Sequence, residues 1–273
     1  MARSGCATIG PAELVAEGLR LTYVGHATVL IELDGVRILT DPVLGDRLGP
    51  LRRLGPTPDP MEIGDIDGIL ISHGHPDHLH RASIRAVRGR PLVIAPEGLG
   101  GRAGGSDRRV REVAVDDRVE IGGVRIIAVP ARHGRWPLHP RSRPIGYLIE
   151  GSSGVYFAGD TALHPTMARL AGRVDVALLP VGRWGPPIGP ERLTPASAVE
   201  AATRVGARTA IPIHWGTLHL PGFAAGRWGW GSLDAGDAFS AEAADRAPDL
   251  DIIVLQPGQT TDLETRSRVG LKP

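Results

Sequence analysis

The sequence predicts an α+β fold in which helices cover β-sheets, and three observations carry that prediction. Short β-branched and aliphatic runs outnumber helical segments, the early runs are joined as hairpins, and the later ones alternate with helices. A pure β-sandwich would lack the late helices, and a doubly wound parallel sheet would lack the early hairpins. The chain has 273 residues, 42% of them hydrophobic and 22% charged, which is enough to bury a sizeable core. No stretch has the composition of an interdomain linker, so residues 1–273 read as a single domain.

Strands are expected in order at 19–24, 28–33 and 36–40. Asp34-Gly35 between the last two suits the positive φ angles of a tight hairpin turn. Further strands are expected at 68–72, 92–95, 110–115 and 124–129, with Gly122-Gly123 marking a second hairpin ahead of the last of these. The remaining strands fall at 145–149, 155–158, 176–180, 209–213 and 251–255. Helices are expected at 79–87, 165–170, 195–205 and 235–247. Four stretches rich in Gly, Pro and Arg, 42–62, 132–144, 182–194 and 216–234, read as long loops, which in a compact domain usually serve function.

Composition excludes several classes. The 31 basic and 30 acidic residues leave a net charge of +1, and the only lysine is Lys272, so there is no one-sided basic footprint for nucleic acid. No run of about 18 apolar residues occurs, and MARSGCATIG lacks the apolar core of a signal peptide. The expectation is a soluble, cytoplasmic protein with no integral membrane segment. Cys6 is the single cysteine, so neither an internal disulfide nor a multi-cysteine zinc site can form.

Histidine carries the chemistry. Four of the ten His residues fall in His73-Gly74-His75-Pro76-Asp77-His78-Leu79-His80, directly after a buried-looking strand. His-x-His-x-Asp-His should arise by chance in roughly one sequence in a thousand of this composition. Residues two apart on an extended segment point the same way, so His73 and His75 can offer two imidazoles to one metal ion. Pro76 keeps His75 extended, and a turn then redirects Asp77 and His78 toward a second position. Each site would need further ligands, and metal-compatible side chains end three apolar strands downstream: His133, Asp160 and His214.

This order of ligands resembles the metallo-β-lactamase superfamily, from Thr22 to about Gly258. The resemblance implies a four-layer αβ/βα sandwich with the active site at the shared edge of two mixed sheets. It implies that His73, His75 and His133 hold one metal, that Asp77, His78 and His214 hold the second, and that Asp160 bridges them. Tyr23-Val24-Gly25-His26-Ala27-Thr28, Leu39-Thr40-Asp41-Pro42 and Ile71-Ser72-His73 resemble the branch that contains N-acyl-phosphatidylethanolamine-hydrolysing phospholipase D and the ascorbate-phosphate lactonases. Within that branch Asp41 is expected to orient a ligand histidine through its free ring nitrogen. His26 reads either as an orienting group or as a packed core histidine.

The implied cofactor is a pair of divalent ions, with zinc the best match to imidazole and carboxylate and Mn2+ or Fe2+ compatible. Such a pair lowers the pKa of a bridging water to about 7. The expected activity is therefore a metal-dependent hydrolase of phosphodiesterase or lactonase/esterase type acting on a small molecule, with Asp77 and Asp160 orienting the nucleophile. The rival is a non-hydrolytic member of the fold, either a diiron redox enzyme or a metal-binding sensor. Diiron relatives usually carry Glu where this chain has His75. Two departures limit the transfer from the branch: His80 replaces a common Asp and reads as a helix-start residue, and Arg192 replaces a His ahead of Pro195, so phospholipid specificity does not carry over. Trp136, Trp184, Arg192, Trp215, Trp228 and Trp230 are the expected substrate-pocket residues, since pockets are commonly lined by aromatics with few polar groups.

Overall fold

A computed structural model describes residues 18–104, 109–134, 142–182, 192–222 and 233–264. The strands in chain order are β1 (Leu19–Gly25), β2 (Thr28–Leu33), β3 (Val36–Thr40), β4 (Arg47–Leu48), β5 (Leu51–Arg53), β6 (Gly68–Leu70), β7 (Leu92–Pro96), β8 (Val110–Val113) and β9 (Arg118–Ile121). They continue with β10 (Val124–Pro130), β11 (Ile145–Glu150), β12 (Gly154–Phe157), β13 (Val176–Pro180), β14 (Thr209–Ile213), β15 (Leu218–His219), β16 (Asp251–Ile252) and β17 (Thr260–Leu263). The α-helices are α1 (Pro60–Ile63), α2 (Arg81–Ala86), α3 (Gly100–Ala103), α4 (Pro195–Val205) and α5 (Ala235–Arg246), and Pro165–Leu170 is a 3₁₀ turn.

Two seven-stranded sheets form, in the orders β17-β1-β2-β3-β6-β7-β8 and β16-β14-β13-β12-β11-β10-β9. Each is antiparallel in its hairpin half and parallel in the half built with helices. The hairpin turns have the positive φ angles their sequences suggested, 51° and 78° at Asp34-Gly35 and 55° and 88° at Gly122-Gly123.

Alternation in β1 sends Leu19, Leu21 and Tyr23 inward and leaves Arg20 exposed. The inward set packs against Ile126, Tyr147, Ile149 and Phe157 of the second sheet, forming the central core between the sheets. Leu30, Leu39, Ile69 and Val93 on the other face of the first sheet pack against Leu79 and Ile84 of the cluster turn and α2 and against Ala103 of α3. Ala198, Ala202 and Phe239 bring α4 and α5 onto the second sheet. The result is the four-layer helix-sheet-sheet-helix order, an αβ/βα sandwich.

Helix α4 is fixed at both ends. Thr194 and Ser197 form a capping box, Pro195 occupies the first turn, and Gly206 closes the helix in the left-handed region at φ 70°.

Several expectations change. The stretch 42–62 is not one long loop: it folds into the β4-β5 hairpin and α1, and β15 pairs onto β5. Buried Arg53 organises this segment by donating to the carbonyls of Val24, Gly45 and Val43. The helix expected at 79–87 starts at Arg81, because Leu79 and His80 belong to the turn that closes the histidine cluster. The strand expected at 251–255 covers only Asp251–Ile252. The 165–170 helix is 3₁₀ rather than α.

Phe239, fully buried, is a main anchor of α5 on the second sheet. Phe239→Ala should lower the unfolding free energy by about 3–5 kcal/mol, read as a lower denaturant midpoint at unchanged slope.

Candidate metal centre

The side chains that make up the candidate site follow the ends of six strands. His26 follows β1, Asp41 follows β3, His73 to His78 follow β6, His133 follows β10, Asp160 follows β12 and His214 follows β14. Side chains at the carboxyl ends of strands in both sheets thus converge on one edge, the place where sheets of this kind bind ligands. The sheets are stapled there by hydrogen bonds. Ile145 N donates to Ser72 O (3.0 Å), Tyr147 Oη donates to Ile71 O (2.7 Å), Tyr23 Oη donates to Trp215 O (2.7 Å), and His214 N donates to His26 O (2.6 Å).

The donor atoms fall into two groups. In the first, His73 Nε2 lies 2.9 Å and His133 Nε2 lies 3.3 Å from His75 Nδ1. In the second, His214 Nε2 lies 3.3 Å from His78 Nε2, and Asp77 Oδ2 lies 3.5 Å from His78 Nε2 and 3.8 Å from His214 Nε2. Asp160 stands between the groups. Its Oδ2 is 3.6 Å from His133 Nε2, and its Oδ1 is 3.3 Å from His214 Nε2 and 3.7 Å from His78 Nε2. Nitrogens bound tetrahedrally to zinc at about 2.0–2.1 Å sit roughly 3.3 Å from one another, so the observed spacings fit a cation in each group.

Orientation of these side chains comes from a buried layer behind them. Asp41 accepts from Ser72 N (2.7 Å), from Ser72 Oγ (2.5 Å) and from His78 Nδ1 (2.7 Å). Ser72 Oγ in turn lies 2.9 Å from His73 Nδ1. With the Ser72 hydroxyl donating to Asp41, His73 Nδ1 donates to Ser72 and Nε2 is left as the free lone pair. His26, which the sequence left as either an orienting group or a packed core histidine, lies against the second group. Its Nε2 is 3.1 Å from Asp77 Oδ2, its ring centroid is 4.0 Å from that of His214, and it stands in the same metal-compatible cluster as Asp77, His78 and His214. Its backbone is left-handed at φ 57°, fixed by a 2.6 Å bond from its N–H to Thr217 Oγ1.

The electrostatics suit a cation. Burial, with His214 adding to it, lowers the His26 pKa to about 3, and burial lowers His75 to about 4 and His73 well below its ordinary value. These imidazoles are neutral at pH 7. Burial pushes Asp77 and Asp160 upward, but the surrounding imidazoles outweigh it and hold both carboxyls well below their usual range. Burial opposes charge on His78 too, yet Asp77, Asp160 and Asp41 raise its pKa well above the ordinary value. Without a metal, a protonated His78 is thus the positive charge among three buried carboxyl groups.

Other expected site residues go elsewhere. Trp215 is a correction: it is buried against Tyr23, its Nε1 donates to Pro212 O (2.9 Å), and Gly236 of α5 leaves room for its ring, so it packs the core rather than a pocket rim. His80 stands at the N-cap position of α2, the helix start its place in the sequence suggested, with Nδ1 2.7 Å from the Ser83 hydroxyl and no side-chain bond to the helix backbone. Arg192 is half-buried and precedes Leu193, whose N–H donates to Thr161 O (2.9 Å) beside Asp160. Trp136, Trp184, Trp228 and Trp230 lie outside the described residues. Ser72 and Thr217 were not anticipated: nothing in their local sequence marks a hydroxyl that acts through a contact made in space. Among the described residues no helix is long and apolar enough to cross a membrane.

Comparison with known proteins agrees with the geometry. A beta-lactamase superfamily domain model matches residues 36–215. A metal-dependent hydrolase of Methanopyrus kandleri is 31% identical over 89% of this chain and 99% of its own length. An N-acyl-phosphatidylethanolamine-hydrolyzing phospholipase D of Caenorhabditis elegans is 30% identical over 74% of this chain and 65% of its own. A Mycobacterium tuberculosis protein is 31% identical over 75% of this chain, which spans 60% of that relative's length. The solved structure of a metallo hydrolase from Ignicoccus hospitalis superposes with a TM-score of 0.71 at 21% identity, covering 91% of this chain and 99% of that one.

Two substitutions test the geometry. Asp41→Asn should weaken metal affinity by about 10–100-fold, measured by competition against a chromophoric chelator. Gly182→Ala should cost metal from the second group specifically, because an added Cβ overlaps the His214 carbonyl; metal-to-protein ratio by elemental analysis reads it.

Proposed function

This chain belongs to the metallo-β-lactamase superfamily, and on that premise we propose that it is a dinuclear metal-dependent hydrolase of a phosphodiester, ester or lactone. The observation that carries this is the position of Asp160, whose two oxygens face two separate nitrogen-rich groups. His73, His75 and His133 would hold one ion, Asp77, His78 and His214 the other, and Asp160 both, with zinc the best match to the donors. When bound, such a pair supplies an acidified water as nucleophile and a Lewis acid for the charge that develops on the oxygen of the attacked group.

The chain's own residues set the conditions. The two carboxylates, held ionised, accept hydrogen bonds from the nucleophile and keep it aimed. His26 holds Asp77 Oδ2 so that this carboxylate keeps one orientation. The buried Asp41–Ser72 pair fixes the tautomers of His78 and His73, so their Nε2 atoms face the site without rearrangement. The phosphodiester reading draws support from the phospholipase D relative, whose name states hydrolysis of a phospholipid; the ester and lactone readings share the same attack on an electrophilic centre.

Full chelation should abolish hydrolysis of bis(p-nitrophenyl) phosphate and of simple aryl esters and lactones, and added Zn2+ or Mn2+ should restore it. His73→Ala and Asp160→Asn should each reduce turnover by more than about a hundredfold, beyond what losing an outer-shell partner costs. Activity that survives chelation or both substitutions would refute the proposal.

A further inference from the structure

Arg53, at the end of β5, is the one buried arginine among the described residues, 8% exposed. Its guanidinium is paired with no carboxylate, and its side-chain hydrogen bonds all go to backbone carbonyls. Nε donates to Gly45 O (3.2 Å), Nη1 to Val24 O (3.3 Å) and Nη2 to Val43 O. Arginine stays protonated in proteins, and a buried cation with no carboxylate paired to it is costly. A two-strand hairpin alone gives no reason to keep one there.

The three carbonyls belong to the two turns that carry His26 and Asp41. Val24 lies two residues before His26, and Val43 and Gly45 lie two and four residues after Asp41. Both turns hold a residue with a Cβ at positive φ, 57° at His26 and 31° at Asp41, and such conformations persist only where the surroundings impose them. The turns are also tied to each other: Thr28 Oγ1 donates to Asp41 O (2.9 Å) and accepts from Val43 N (3.0 Å). Gly25 lies between the guanidinium and Thr217, since a Cβ there would meet Arg53 Nη1 at 2.9 Å and Thr217 Oγ1 at 3.0 Å. Thr217 accepts from His26 N–H through that hydroxyl and from Leu54 N–H, next to Arg53, through its carbonyl (2.7 Å). The turn at His26 is therefore gripped from both sides by β5 and the segment paired with it.

Both turns lead to the second donor group. His26 Nε2 stands 3.1 Å from Asp77 Oδ2, and Asp41 Oδ2 stands 2.7 Å from His78 Nδ1. The route from Arg53 to the first group is longer, through Asp41, Ser72 and His73. The planar fork of a guanidinium can hold three carbonyls in fixed directions at once, which an ammonium on a flexible stem cannot.

We propose that Arg53 is a positioning residue of the metal centre: by holding the carbonyls of Val24, Val43 and Gly45 it fixes the turns at His26 and Asp41, and through them Asp77 and His78 of the second group. The proposal rests on the dinuclear reading above and extends the centre to a residue that belongs to neither donor group. The test titrates metal-free, full-length protein with Zn2+ against a chromophoric chelator, and uses cadmium NMR to resolve the two ions. Arg53→Met, which keeps an apolar stem, should weaken binding of the second ion by about tenfold or more, the cost of losing an outer partner, and binding of the first by a smaller factor. One of the two cadmium resonances should shift or broaden while the other holds. Arg53→Lys, which keeps the charge but not the fork, should show the same selective loss to a smaller degree, and it decides alone if Arg53→Met fails to fold. Leu48→Ala is the control. Leu48 packs the same hairpin against Leu51 and Leu218, so this variant loosens the hairpin with the guanidinium in place and should leave both affinities at wild-type values. Wild-type affinities in the Arg53 variants would overturn the proposal, as would equal weakening of both ions. So would a Leu48→Ala that reproduces the selective loss, since packing alone would then account for it. A wild-type protein that binds only one ion would refute the dinuclear reading, and this proposal with it.

Discussion

The buried carboxyl group of Asp41 is the interaction on which the rest of the centre depends. It is fully buried, and it survives there only because three donors from the histidine loop satisfy it. Through those donors it orients one imidazole of each group: His78 directly, and His73 by way of Ser72. A single side chain at the end of β3 therefore sets the tautomers of both donor groups. The loop from Ser72 to His78 has little secondary structure of its own, so without this acceptor nothing local would hold its imidazoles inward.

Backbone strain collects at the same edge. Among the described residues five that are not glycine have positive φ, and three of them are His26, Asp41 and His214, at 57°, 31° and 65°. Such conformations cost energy for residues with a Cβ and persist only where the surroundings impose them. Here His214 N–H bonds to His26 O, so two of the strained residues hold each other across the seam between the sheets. Glycines allow the approach: a Cβ on Gly159 would meet Ser72 Cβ at 2.6 Å, and one on Gly25 would meet Thr217 Cγ2 at 2.8 Å.

Much of this was legible in the sequence, and what was not has a physical cause. Periodicity and turn dipeptides located both hairpins and the buried central strands, because β-branched runs bounded by glycine have few other ways to fold. The His-x-His-x-Asp-His spacing located the loop because extended geometry at His73 and His75 is a local property. The β4-β5 hairpin was missed since its strands are two and three residues long and are held by Arg53 and by β15, a contact about 165 residues away in sequence. Strand β17, Thr260–Leu263, carries no apolar run and is a strand only because β1 offers an edge. Trp215 was misread because its neighbour in sequence, His214, faces the site while its own ring turns to the core, and the left-handed turn at His214, just past the end of β14, that parts the two is not marked by any local pattern. Ser72 acts on Asp41 at the end of a neighbouring strand and Thr217 acts on His26, 191 residues away in sequence, and no local pattern reveals that.

The charge balance links the centre to the fold. Asp41, Asp77 and Asp160 place three carboxyl groups in a buried volume where His73, His75 and His26 are neutral and His78 offers the compensating charge. Uncompensated buried charge is among the costliest things a protein can carry, so this arrangement is one that a bound cation would stabilise. The donors come from both sheets, with His73, His75, Asp77 and His78 on one side and His133, Asp160 and His214 on the other. Any stabilisation gained by binding there is consequently shared across the seam, and it acts on the docking of the two halves as well as on the local loop.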